Sequence, residues 1–325
     1  MIPVEVFTLT LQQMLMMFLL IAMGFILRKK HILPDNANII MSKLETYVFV
    51  PALGLYTQMT KCTVATFAQH GSLMLYGLVI TLCAMAASFP LAAMFIRKTN
   101  GSSQLAYQRK VYQYAMTFSN FGFMGNFIIL GVWGSDVFFQ YGLFTFFYSI
   151  ICNSWGLYIL IPKEQNAGMI ANLKKGLITP PIIALVAGIV IGLLDWTRFV
   201  PAFCLTALDK AAACQGPVAM LLAGFVIGGY DFKELILNKK VYAASFVRLI
   251  VIPAVVVLAL KALGVSQSIR ILALIAFGTP LGLNTIVYPS AYGGDPKTGA
   301  SMAMISHTLS VITIPLMYLL LIELI

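Results

Sequence analysis

The sequence has 325 residues, of which 60% are hydrophobic and only 10% charged, with a formal net charge of +10. A soluble domain carries about 25% charged residues, and no soluble core of this size hides so much apolar surface. A water-soluble globular protein is therefore excluded, and lipid is the expected solvent.

The apolar residues fall in ten blocks, taken in chain order as 4–27, 36–60, 71–96, 110–133, 137–162, 177–194, 201–229, 240–263, 268–293 and 299–323. Blocks of roughly 20 to 28 residues cross the hydrocarbon layer as helices. The first block lacks a basic leader and is long enough to remain as a span. The links are short, which leaves no room for a separate soluble domain. With the N-terminus outside, the inner loops hold 14 of the 21 Lys and Arg residues and the outer loops hold Lys61, Arg198, Lys261 and Arg270. This is the positive-inside bias of a multi-pass protein of the cytoplasmic membrane, with both termini outside. The basic excess is thus topological, and nucleic acid is not an expected partner. Of the five cysteines, no two form a close metal-ligand pair. Cys62 and Cys204 fall near the outer face, and buried free thiols are the expected state.

Two correspondences suggest an internal repeat. A shift of 159 residues places Phe118 on Phe277, Trp133 on Tyr292, Gly134 on Gly293 and Asp136 on Asp295. A shift of 166 places Pro51 on Pro217. Spans 1–5 and 6–10 then read as two copies of a five-helix unit. Five is odd, so the second copy is inverted, as in many secondary transporters. The expected architecture is an all-α integral membrane protein with ten transmembrane helices in two inverted five-helix repeats. The first repeat covers 1–162, a cytoplasmic link 163–176, and the second repeat 177–325.

The fourth and ninth spans contain residues that a helix in lipid avoids. Pro280 lacks an amide donor, while Gly278 and Gly282 permit non-helical angles. The ninth span is expected to unwind near 278–284. Ser119, Asn120, Gly122, Gly125 and Asn126 weaken the fourth at the matching place. Unwound backbone at that depth requires protein or a watery cavity around it. Each break exposes a helix start, which suits an anion, and a helix end, whose carbonyls suit Na⁺ or a hydroxyl donor. The candidate substrate-binding residues are Asn120, Gly122, Gly125, Asn126, Thr279, Pro280, Gly282 and Asn284, and the candidate ligand is a small carboxylate. Gly131, Gly142, Gly188 and Gly192 read instead as helix-crossing positions.

Charged or titratable residues within spans are Lys43, Glu45, Asp209, Lys210, Arg248 and His307. Lys43 precedes Pro51 by the same eight residues that separate Asp209 from Pro217. Lys43 is a candidate for attracting the anion, and Glu45, Asp209 and His307 are candidates for carrying a coupling proton. The competing readings are structural: an ion pair of Asp209 with Lys210 or Arg248, snorkelling of Lys43, and helix packing at His307. No His, Cys and carboxylate group has metal-ligand spacing, no Gly-rich loop ends in Gly-Lys-Ser/Thr, and no serine sits in a nucleophile elbow. An enzyme, a catalytic residue, a metal site and a cofactor are therefore not expected.

Four stretches, "SKLETYVFVPALGL" (42–55), "SNFGFMGNFIILGVWG" (119–134), "GPVAMLLAGFVIGG" (216–229) and "YGGDPKTGASMAMISHTLSVITIPL" (292–316), resemble the auxin efflux carrier family in its bacterial branch. The resemblance implies a fold like that of the bile-acid:sodium symporter group, with broken helices 4 and 9 crossing. It implies a panel domain of helices 1, 2, 6 and 7, with Pro51, Gln215 and Pro217 on the cavity wall or gate. Helices 3–5 and 8–10 form the transport domain. It also implies transport of organic acids such as malonate, malate, lactate or auxin-like carboxylates, and a homodimer through the panel helices. Many relatives carry a proline in the fourth-span break, which is absent here. Glu45 and His307 stand where apolar or small hydroxyl residues are more common.

The expected function is secondary transport of a small organic anion by alternating access, coupled to H⁺ or to Na⁺. The rivals are a non-transporting membrane sensor on the same fold, a passive channel, and sodium-coupled uptake of a larger organic anion.

Overall fold

The computed structural model describes residues 3–161, 168–231, 233, 235, 237–291 and 296–324. The motif residues Tyr292, Gly293 and Asp295 lie outside these, as do Pro162 and Lys163 of the predicted link. The first half contains α1 (Pro3–Lys29), α2 (Ala37–Lys61), α3 (Leu73–Phe95), α4 (Ser103–Thr117), α5 (Phe121–Phe144) and α6 (Phe146–Leu160). The second contains α7 (Met169–Leu177), α8 (Pro180–Leu193), α9 (Ala202–Gly228), α10 (Lys239–Ala262), α11 (Gln267–Gly278), α12 (Asn284–Ala291) and α13 (Lys297–Leu324). A further short helix, Val64–His70, is closed at its start by a Thr63–Thr66 capping box.

Among the described residues, seven helices are long and apolar enough to cross a membrane. Three shorter apolar helices, α6, α8 and α11, accompany them. The protein is all-helical in character, and its large apolar side chains point outward as well as inward: Leu19, Leu75, Val79 and Phe203 are all exposed. That is the surface lipid requires, because hydrocarbon solvates apolar side chains.

Two bundles of contacts organise the molecule. Helix α1 lies along α9, and α2 packs between α8 and α9. Gly188 on α8 permits the second approach, since a Cβ there would stand 2.8 Å from the Leu55 carbonyl. On the other side α3 packs on α4 and α6, while α10 packs on α11 and α13. Pro217 sits inside α9 without ending it, as membrane helices tolerate when neighbours supply the lost contacts.

Wide π turns interrupt several helices, at Glu45–Phe49, Phe121–Gly125, Cys152–Gly156 and Val247–Val251. Such turns often mark functional positions, and here they carry the buried residues Glu45, Cys152 and Arg248.

The structure adds detail to several sequence expectations. Within the predicted link 163–176, α7 begins at Met169. The helix that enters the fourth apolar block begins at Ser103 rather than near 110. The end of that block is marked by Gly134, whose φ of 78° breaks the helical path inside α5. All five cysteines are free, but only Cys62 and Cys152 are buried, while Cys83 and Cys214 are exposed. Of the two ion pairs weighed for Asp209, the structure holds the one with its neighbour Lys210, at 3.9 Å.

A cavity at two paired helix breaks

The chain leaves helical geometry at two places that meet in space. Helix α4 ends at Thr117, and Phe118 is extended, with φ −110° and ψ 134°. Asn120 then precedes the π turn that opens α5. In the second half α11 ends at Gly278, Thr279 is extended with φ −70° and ψ 157°, and α12 starts at Asn284. Pro280 enforces this break, since it has no N–H for a continued helix.

The two breaks pair as a single antiparallel β-bridge between Ser119 and Leu281. The Asn120 N–H donates to the Pro280 carbonyl at 2.8 Å. The Ser119 hydroxyl donates to the Ala276 carbonyl at 2.6 Å, and the Leu281 N–H donates to the Ser306 hydroxyl of α13 at 3.1 Å. Gly282 allows this closeness, because a Cβ there would stand only 3.2 Å from the Ser119 carbonyl. Backbone groups that could not be left bare in lipid are thus matched across the crossing.

A ring of aromatic residues fixes the first break. The Tyr148 hydroxyl accepts from the Ser119 N–H at 2.9 Å and donates to the Thr117 carbonyl at 3.2 Å. Its ring meets Phe118, Phe121 and Phe277 edge-on, with centroids 5.4, 4.3 and 5.1 Å away. Arg248, wholly buried, donates from Nη1 to the carbonyls of Met116 at 3.1 Å and Thr117 at 3.4 Å. A cation therefore caps the negative end of α4. Its Nε and Nη2 have no hydrogen-bond partner among the described residues. At these two helix ends the chain's own donors reach three carbonyls: Met116 and Thr117 from Arg248, Thr117 also from Tyr148, and Ala276 from Ser119.

Beside the crossing lies a cavity of about 580 Å³. That is within the usual range for small-molecule sites, about 300–1,000 Å³. From the breaks it is lined by Asn120, Gly122, Asn126, Gly282 and Asn284. The opposite wall comes from Thr46 and Gln58 on α2 and from Thr179 and Leu185 at α8, with Asn153 of α6 on a third side.

The other predicted residues are distributed around it. Gly125 faces the Tyr141 hydroxyl, so it serves close packing. Thr279 is buried, and its hydroxyl has no partner among the described residues. Pro280 takes part through its carbonyl. Pro51 and Pro217 are not among the lining residues, although Val50 and Gly54 on either side of Pro51 are. Gln215 is buried and reaches the Gly122 carbonyl at 3.5 Å. Glu45 is wholly buried and faces Gln215 without closing a hydrogen bond of normal length. Lys43 and Asp209 are not among the lining residues, Lys43 being exposed and Asp209 partly so. His307 is buried behind the site, with Nε2 3.1 Å from the Asn120 amide nitrogen and Nδ1 2.7 Å from the Ala303 carbonyl. On the other side, the Asn284 amide nitrogen donates to the Tyr114 hydroxyl at 3.0 Å.

Sequence reasoning missed Tyr148, Ser306, Tyr114 and Gln58. None stands in a pattern of its own, and only the partner across space marks each out.

The fold and the site define a multi-pass membrane protein with a cavity built on interrupted helices, which contribute polar groups to its wall. The sequence model of the family described as membrane transport protein matches the chain over residues 9–171 and 167–318. The chain belongs to this family, the one its four motifs resemble. No curated protein matches the chain.

Proposed function

We propose that this membrane transport protein is a secondary transporter of small organic anions that works by alternating access. The observation that carries this is the cavity of about 580 Å³ beside the two paired breaks. The N–H groups at the start of α5 have no partner within their own helix and favour a carboxylate. Asn126 and Asn284 add neutral polar contacts at the cavity wall.

The architecture that best fits is ten passes in two inverted five-helix repeats, with broken helices 4 and 9 formed by α4–α5 and α11–α12. The packing of α1, α2, α8 and α9 against one another supports a panel domain. The transport domain would be the remainder. The cavity wall includes Ser42, Ile178 and Pro180, near the face that the basic loops assign to the cytoplasm, so the conformation is read as inward-facing. The membrane would be the cytoplasmic one, with both termini outside.

Coupling is read as H⁺ rather than Na⁺. The carbonyls of Met116, Thr117 and Ala276 already accept from Arg248, Tyr148 and Ser119. Glu45 is the residue for the proton, as an ionisable side chain deep in a span and beside Gln215, which contacts the first break.

The test is counterflow in liposomes across mono- and dicarboxylates. Saturable exchange of at least one acid is expected. No exchange of any anion by folded protein would end the proposal. Transport driven by a pH gradient without Na⁺, and abolished in Glu45→Gln while counterflow persists, would support the coupling; a strict Na⁺ requirement would overturn it.

A further inference from the structure

The hydrogen bonds behind the site fix which face Asn120 turns toward the cavity. His307 Nδ1 lies 2.7 Å from the Ala303 carbonyl one turn earlier on α13. A carbonyl only accepts, so Nδ1 holds the ring proton. In the neutral ring, Nε2 is then a pure acceptor. Its partner is the Asn120 side chain at 3.1 Å. Only the NH₂ end of that amide donates, so the NH₂ end is the one turned to His307, which takes one of its two N–H groups. The opposite end of the amide, the carbonyl Oδ1, is thereby turned away from His307, and Asn120 borders the cavity while His307 does not.

Asn284 on the second break is arranged in the same sense. Its NH₂ is 3.0 Å from the Tyr114 hydroxyl. A phenol both donates and accepts, so this partner does not force the amide's orientation. The Asn120 orientation is forced, and His307 is what forces it.

We propose that His307 is a positioning residue that makes Asn120 offer an acceptor to the cavity, so that the transporter selects carboxylates bearing a hydroxyl. This rests on the transport function proposed above. An amide oxygen repels a carboxylate, so the carboxylate group belongs at the N–H groups opening α5. The acceptor beside it is then matched by a donor two or three atoms away on the same molecule. Lactate and malate have one; propionate and succinate do not. A site that binds through a hydroxyl leaves its own polar group unpaired when an analogue lacks it.

The experiment is counterflow with the pairs lactate and propionate, and malate and succinate. Wild-type protein is expected to show a KM at least about tenfold lower for the hydroxylated member of the transported pair. In His307→Ala, Asn120 is free to turn its NH₂ outward, and the ratio should fall toward unity while protein yield and melting temperature report folding separately. His307→Gln, which keeps a side-chain acceptor, should retain part of the discrimination. Equal KM values within each pair in the wild type would overturn the inference, as would an undiminished ratio in His307→Ala. If neither variant folds, the wild-type ratio still decides. Exchange of no acid at all defeats the transport function itself, whereas exchange without preference for the hydroxyl defeats only the role of His307.

Discussion

The two helix breaks meet in one bridge, yet they are made in different ways. The second, between Gly278 and Asn284, is written into its own sequence by Pro280 and two flanking glycines. The first has no proline and departs from helix only around Phe118–Asn120. It is held from outside, by Tyr148 of α6 and Arg248 of α10, which satisfy its backbone. One break is intrinsic and the other is imposed. The imposed break depends on remote side chains, so it should be the fragile one.

That contrast sets the order of expected effects. Arg248→Ala should be the most damaging change. It takes the Arg248 donor from the Met116 carbonyl, leaves Thr117 with only the Tyr148 hydroxyl, and opens a cavity in a fully buried place. A loss of about 3 kcal/mol or more is expected, read as a large drop in melting temperature in detergent together with loss of transport. Tyr148→Phe keeps the ring contacts with Phe118, Phe121 and Phe277 but removes the acceptor of the Ser119 N–H. It should cost about 2 kcal/mol. A melting temperature equal to wild type would show that the first break does not need outside support.

Gly282→Ala probes the bridge where both breaks touch. The added methyl meets the Ser119 carbonyl at 3.2 Å, so a cost of about 1 kcal/mol is expected, with KM raised because the cavity wall shifts. Pro280→Ala should have the smallest effect on stability, about 0.5–1 kcal/mol. Its backbone carbonyl, which accepts from Asn120, survives the substitution. If Pro280→Ala proved more harmful than Tyr148→Phe, the distinction between intrinsic and imposed breaks would be reversed.

The same distinction explains what could be read from the sequence. The helical membrane class follows from the apolar blocks, because their length and lack of charge leave no other solvent for them. The second break was legible because proline acts locally: it removes a donor wherever it stands. The first break was legible only through its likeness to the second, and its position was set too late in the chain. Gly122 and Gly125 drew attention, but they lie in a π turn, while the non-helical residues are just before them. The forces that place it come from residues more than 25 positions away, and no local pattern encodes them. Helix α7 was hidden for another reason. The stretch "MIANLKKGL" is short and basic, and it reads as a link until it is seen packed against α6.

Among the candidate side chains, those chosen for chemistry at the breaks and those chosen for charge fared differently in placement. Asn120, Gly122, Asn126, Gly282 and Asn284 all border one cavity. Lys43 and Asp209 do not line it: Lys43 is exposed although Ser42 and Thr46 on the same helix are on the wall, and Asp209 is partly exposed. His307 was flagged as a lone titratable group in a span. Its bond to Asn120 joins residues 187 positions apart and has no counterpart in the sequence.

The central claim is that the paired breaks hold the transported anion. Its most direct test is the KM for the best-exchanged carboxylate in wild type, Asn120→Ala and Asn284→Ala, each reconstituted at equal density. The account predicts that both substitutions raise KM about tenfold or more, with folded protein retained. Wild-type KM values in both variants would contradict it and place the anion elsewhere.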